Sequence, residues 1–74
     1  PPTHEINVHG NLVSISTPWP GALLLIDVQG NVVEFHEFET GDFDFSGVAP
    51  GLYFLNVLIY DPNGLMSETI LVNF

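Results

Sequence analysis

The 74-residue chain contains no lysine, arginine or cysteine, and each absence excludes a class of structure or function. Without cysteine, neither a disulfide nor a thiolate metal site can stabilise so small a fold. Without basic side chains the chain cannot neutralise phosphates, which excludes nucleic acid as a partner. Nine acidic residues give a formal charge of −9. Each carboxylate must therefore be solvated, hydrogen-bonded to the backbone or met by a cation from outside the chain.

The acidic composition has two interpretations. The negative field would favour a basic partner surface or divalent cations. The simpler interpretation is that like charges keep an edge-rich β-protein in solution, and the sequence favours it. No apolar run approaches the roughly 20 residues of a membrane-spanning helix, so no transmembrane helix is expected. The start at Pro1-Pro2-Thr3, without an initiating methionine or a visible secretion signal, suggests a fragment of a longer protein.

Hydrophobic residues make up 46% of the chain, and they recur mostly at every second position, which is typical of strands. Turn sequences such as Gln29-Gly30-Asn31 and Asp61-Pro62-Asn63-Gly64 separate the alternating segments. Seven short strands are predicted, over residues 4–9, 11–16, 22–28, 32–38, 42–46, 52–60 and 65–73. The spacing predicts an all-β fold, a small antiparallel, Ig-like β-sandwich of about seven strands that spans residues 1–74 as a single domain.

The two most apolar segments, 22–28 and 52–60, are predicted to be central strands, and 4–9 and 65–73 to be open edge strands. The expected core combines aliphatic residues with aromatic ones. It comprises Ile15, Leu23, Leu25, Val33, Phe35, Phe43, Phe45, Val57 and Ile59, with Trp19 covering one open end.

Two motifs stand out from this pattern. In the first, Asp27 precedes a turn at Gly30, where its carboxylate is expected to accept backbone N–H bonds. In the second, Gly47 and Val48-Ala49-Pro50 lead into Gly51-Leu52-Tyr53-Phe54. Gly51 is expected to supply a positive φ or space for a close backbone approach. Tyr53 is expected to pack its ring while its hydroxyl reaches a backbone group of the turn, as in a tyrosine corner.

Together, from about Asn11 to the end, these segments resemble the C-terminal sorting domain (type A) of proteins exported by the type IX secretion system of Bacteroidota. In that family a strand ends in Tyr-Asp-x-x-Gly-x-x-Val, and a Leu-x-x-Gly-x-Tyr-Phe segment and a closing strand follow. Ile26 stands here in place of the family's tyrosine. The resemblance nominates Asp27, Gly30, Gly47, Pro50, Gly51, Tyr53 and Phe54 as the recognition and turn motif.

The resemblance implies a non-catalytic module that directs cargo across the outer membrane to the cell surface. Its implied partners are the outer-membrane translocon, its shuttle protein and a surface sortase that joins cargo to lipopolysaccharide. The closing strand 65–73 and the loop 47–51 are the expected recognised surface. The alternative is a structural β-sandwich, an adhesin or extracellular fibre subunit that self-associates through its edge strands.

No residue pattern indicates catalysis or a cofactor. The chain has no Gly-x-Ser-x-Gly motif and no activated cysteine or lysine, so no enzyme is expected. His4, His9 and His36 lack the spacing of a zinc site. Asp42 and Asp44 share one strand face without wrapping an ion, so a solvated acidic face is favoured over a calcium site.

Overall fold

Alternating apolar residues form seven antiparallel strands in the computed structural model, which describes residues 4–39 and 41–74. The strands are β1 Glu5–His9, β2 Leu12–Ser16, β3 Gly21–Asp27, β4 Val32–Phe38, β5 Gly41–Asp44, β6 Leu52–Asp61 and β7 Gly64–Asn73. All seven predicted strands are present, with ends within two residues of the predicted ones. Thr40, part of an expected turn, and Pro1-Pro2-Thr3 lie outside the described residues. Within the described residues no helix is long and apolar enough to cross a membrane.

The strands form two sheets, and the chain passes between them three times. The three-stranded sheet has the order β1-β2-β5, and the four-stranded sheet has the order β4-β3-β6-β7. This order corresponds to an Ig-like sandwich in which the fourth strand pairs with the third instead of the fifth. The prediction of a small β-sandwich is confirmed. So are the central positions of β3 and β6 and the edge positions of β1 and β7.

The core lies between the sheets and comes from the inward positions of β2, β3, β6 and β7, with single residues from β4 and from the end of β5. Its buried members are Val13, Ile15, Leu23, Leu25, Phe38, Phe45, Tyr53, Leu55, Val57, Ile59 and Val72. Trp19 and Phe43 are partly buried against this cluster, as expected. No charged or polar side chain is fully buried among the described residues, so the core is stabilised by apolar packing.

The expected burial of Val33 and Phe35 is wrong. Phe35 is 54% exposed and Val33 is 43% exposed, and both lie on the outward side of β4. In their place β4 turns Glu34, His36 and Phe38 toward the other sheet, since these residues pair with inward-facing positions of β3. The strand was located correctly, but its two faces were assigned in reverse.

One contact at the end of β4 fits the observed orientation of the strand. Phe38 pairs with Gly21, and a Cβ atom built on Gly21 would clash with the backbone oxygen of Leu58 and lie 2.9 Å from Cζ of the Phe38 ring. Glycine at this position therefore lets β6 approach β3 closely and also leaves room for the phenyl ring, and Phe38 is buried. Because side chains alternate along a strand, burying Phe38 forces Phe35 outward.

Replacing Phe45 with alanine should lower the free energy of unfolding by about 3–5 kcal/mol, because the ring is 1% exposed and its removal leaves a cavity. Phe35→Ala is the matched control. It removes the same atoms from a largely exposed position and should cost less than about 1 kcal/mol. Urea denaturation of the dilute chain, followed by circular dichroism, measures both. Equal losses for the two variants would contradict the assigned orientation of β4.

Candidate recognition site

The two sequence motifs meet at one end of the sandwich. Asp27, the last residue of β3, lies opposite Tyr53 of β6 in the strand register. A shallow depression open to solvent forms between the β3–β4 turn and the chain entering β6. It is lined by Asp27, Val28, Pro50, Gly51, Leu52 and Tyr53. Segments that lie far apart in the sequence therefore form one surface, which we call the motif end.

Asp27 organises the turn between β3 and β4. Its Oδ1 atom accepts hydrogen bonds from the backbone N–H groups of Gln29 and Asn31, both at 2.9 Å. The main chain closes the same turn, because the Gly30 N–H donates to the Asp27 carbonyl at 3.0 Å. Gly30 has φ +91°, a conformation that glycine adopts without steric cost. The turn role expected for Asp27 and Gly30 is the one observed.

These hydrogen bonds also change the acidity of Asp27. The pKa of its carboxyl lies below its ordinary value of 3.8, chiefly because the Asn31 N–H donates to the charged form. The Asn31 side-chain amide and the Gln29 and Gly30 backbone groups act in the same direction, while partial burial opposes them. A carboxylate held by backbone donors stays ionised and keeps the turn closed over a wide pH range.

Tyr53 forms the corner that leads into β6. Its hydroxyl donates to the carbonyl of Ala49, four residues upstream, and its ring is buried in the core. This is the tyrosine corner of Ig-like sandwiches, at the start of the strand where such corners occur. Gly51 lies inside the corner with φ +150°, and a Cβ atom there would meet nothing within 4 Å. The backbone angle, and not lack of space, therefore requires glycine at this position.

The last residue of the chain completes the motif end. Phe74 and Gly51 exchange two backbone hydrogen bonds of 2.9 Å, which extend the β6–β7 pairing to the corner. The Phe74 ring stacks on Phe45 with centroids 5.3 Å apart and also contacts Tyr53 at 5.9 Å. Phe74 was not among the residues expected in the core, although it continues the inward alternation of Ile70 and Val72.

Two nominated residues do not belong to this surface in the expected way. Phe54 follows Tyr53 but points to the outer side of the four-stranded sheet, where it is 41% exposed. Gly47 lies in the exposed turn closed by the Val48 N–H and the Phe45 carbonyl, 3.1 Å apart. The structure thus brings together Asp27, Gly30, Pro50, Gly51 and Tyr53, with Gly47 nearby in the connecting loop.

The remaining ionisable side chains are dispersed. Asp42 and Asp44 are exposed on the outer side of the three-stranded sheet, as expected of a solvated acidic face. His36 lies between the sheets, 2.8 Å from the Glu34 carboxylate and with its ring 5.5 Å from that of Phe43. Over residues 4–39 and 41–74, no three histidine or acidic side chains cluster closely enough to hold a metal ion.

Comparison of the chain with protein-family models, with curated proteins and with solved structures found no match.

Gly51→Ala should lower the free energy of unfolding by about 1–3 kcal/mol, because alanine at φ +150° is strained even though space is available. Gly47→Ala provides the control, since Gly47 lies in the same loop without a positive φ and also has open space around it. It should change stability by less than about 0.5 kcal/mol. Thermal and urea denaturation of the two variants give the comparison. A tolerated Gly51→Ala would show that the corner does not depend on this backbone angle.

Asp27→Ala should lower the free energy of unfolding at neutral pH. The difference in this free energy between the variant and the unchanged chain should become smaller in acid. The pKa of Asp27 is lower in the folded chain than in the unfolded chain, where it is about 3.8. The ionised carboxylate therefore contributes its full stabilisation above pH 3.8, and this contribution is lost as the pH falls through the folded-state pKa. Urea titrations from neutral pH to about pH 2 measure this difference.

Asp42→Ala removes an exposed strand carboxylate and serves as the control, with a smaller effect at neutral pH. A difference between the Asp27 variant and the unchanged chain that stays constant down to the lowest pH would contradict the role of the ionised carboxylate.

Proposed function

We propose that this chain is a non-catalytic sorting and anchoring module that directs cargo through the type IX secretion system to the cell surface. The observation that carries the proposal is the convergence of the two motifs at one end of the sandwich. The Asp27 turn and the Tyr53 corner, which carry the resemblance to the sorting domains, are neighbours in space and share one depression.

The motif end has the properties of a surface that a partner can recognise. The Asp27 turn and the Tyr53 corner fix its backbone through hydrogen bonds, so little conformational entropy is lost on binding. Val28 extends from it with 64% of its surface exposed, and Leu52 is about half exposed beside the same depression. A rigid loop cluster with apolar side chains at its rim suits binding of a translocon component or shuttle protein.

A second candidate, an extracellular adhesin or fibre subunit, is favoured by the open edges. β7 is ten residues long and has a neighbour on one side only, so its outer backbone groups can pair with another strand. Pairing of β7 with a different edge strand of the next copy, such as β1 or β4, continues without closing, whereas a sorting module needs no polymer. Filaments seen by electron microscopy of the purified chain would support the fibre subunit.

Fusing residues 1–74 behind a reporter in a bacterium with an active type IX system tests the sorting role. The reporter should reach the cell surface, since the module would supply the export signal. Val28→Asp, which places a charge in the depression, should leave the reporter in the periplasm. Leu12→Asp is the control, because Leu12 is also exposed but lies on the outer side of the three-stranded sheet.

A reporter that stays in the periplasm with the unchanged module would refute the sorting role. Loss of export in both variants would refute the assignment of recognition to the motif end. Circular dichroism of each purified variant establishes that the sandwich is intact, so that a failure of export is not a failure of folding.

A further inference from the structure

The outer side of the four-stranded sheet carries large apolar side chains on all four strands, with polar residues mainly on β7. We call it the apolar face, and it consists of the outward side chains of β3, β4, β6 and β7. The strand register places Phe35 beside Leu24, and Ile26 beside Phe54, which in turn faces Leu71. Eight large side chains of this face are between 41% and 64% exposed, namely Val32, Val33, Phe35, Leu52, Phe54, Tyr60, Leu65 and Leu71.

The size of the apolar face exceeds what a solitary domain ordinarily exposes. Eight such side chains at about half exposure present on the order of 700 Å² of apolar surface. The largest apolar patch of a typical monomer covers about 300–600 Å². A standard protein interface removes about 600–1,000 Å² from each partner, so the area of the face is within the range of a stable dimer.

The polar content of the apolar face is compatible with burial. Asn56, at its centre, donates through its side-chain amide to Thr69 Oγ1 at 3.0 Å and to Ser67 Oγ at 3.2 Å. These bonds lie within the sheet, so covering the face does not leave the amide donors without partners. Among the outward positions of the four strands, Glu37 on the edge strand β4 carries the only carboxylate.

Most of the other carboxylates of the described residues lie away from the outer side of the four-stranded sheet. Glu5, Asp42 and Asp44 lie on the outer side of the three-stranded sheet, and Asp27 and Asp61 lie in turns. If two copies meet through their apolar faces, the two acidic sheets become the outermost of four layers. Stacked sheets lie about 10 Å apart, which separates the acidic sheets by roughly 30 Å. This distance is several times the Debye length of about 8 Å at physiological salt.

We propose that a second copy of this chain covers the apolar face, giving a closed face-to-face dimer of two sandwiches. The separation of the acidic sheet from the apolar face favours a second copy of the chain as the partner that covers this face. A basic partner would be drawn to the acidic three-stranded sheet, and an anionic membrane surface would be repelled by the net charge of −9. The dimer removes the apolar surface from water without bringing the acidic sheets together. This inference is independent of the sorting role.

The orientation of β4 supports the same conclusion. The strand exposes Val33 and Phe35 and turns Glu34 and His36 inward, the reverse of the arrangement expected for a strand with a solvated outer side. In the dimer Val33 and Phe35 become buried. Glu34 and His36 can face inward in the monomer because each provides a polar partner for the other. His36 Nε2 lies 2.8 Å from Glu34 Oε1, and both side chains are partly exposed to solvent.

Sedimentation equilibrium of the 74-residue chain from about 1 µM to about 1 mM, at pH 7 and about 0.15 M salt, tests the proposal. We expect a monomer–dimer equilibrium that ends at two copies, because a two-fold face-to-face contact is closed. A chain that remains monomeric throughout this range overturns the proposal, and this outcome requires no variant. Assemblies that grow beyond two copies indicate pairing of edge strands and also overturn it.

Three matched substitutions then locate the interface. Phe35→Thr and Leu71→Thr each remove an apolar side chain from the face and keep a residue suited to strands, so each should weaken dimerisation by about tenfold or more. Leu12→Thr, on the exposed side of the other sheet, should leave it unchanged. Circular dichroism checks the fold of each variant. A dimer that survives both face substitutions, or that is lost equally in the Leu12 variant, refutes the assignment.

Discussion

The absence of every lysine and arginine is the constraint on which the arrangement of this molecule depends. Nine carboxylates must find water or backbone donors, since no basic side chain other than histidine can meet them. Asp27, Asp44 and Asp61 accept N–H groups in turns, at 2.8–2.9 Å. Glu5, Asp42 and Asp44 leave the three-stranded sheet acidic on its outer side. With most of the charge at turns and on one sheet, the outer side of the other sheet is left almost free of it.

The sequence predicted the strands well because alternation and turn residues are local signals. It did not predict which side of β4 faces the core, because both alternating sets contain two apolar residues. Val33 and Phe35 form one set, and Val32 and Phe38 belong to the other, although in the structure a bulge turns Val32 outward, opposite Ile26. In the structure the buried residue is Phe38, which packs over Gly21 across the β3–β4 pairing. A contact between residues in different strands is not visible in the period of one strand.

In the candidate site, too, some features could be predicted from local sequence and others could not. The hydrogen bonds of Asp27 and Tyr53 span four residues or fewer, so the local sequence was sufficient to predict them. The closure of the motif end by Phe74 depends on pairing between the end of the chain and Gly51, which local sequence does not specify. Phe54 belongs to the same sequence motif as Tyr53 but lies on the opposite side of the sheet, so membership of the motif did not predict its position. The molecule consequently presents two surfaces, the motif end and the apolar face, which adjoin at Leu52.

The orientation of β4 determines both the composition of the core and the extent of the apolar face. Hydroxyl-radical labelling of the dilute chain, followed by mass spectrometry of each residue, measures this orientation. We predict that Phe35 is labelled strongly, while Phe38 and Phe45, which are 8% and 1% exposed, are protected. Strong labelling of Phe38 together with protection of Phe35 would contradict the account, since β4 would then present its other face to the core.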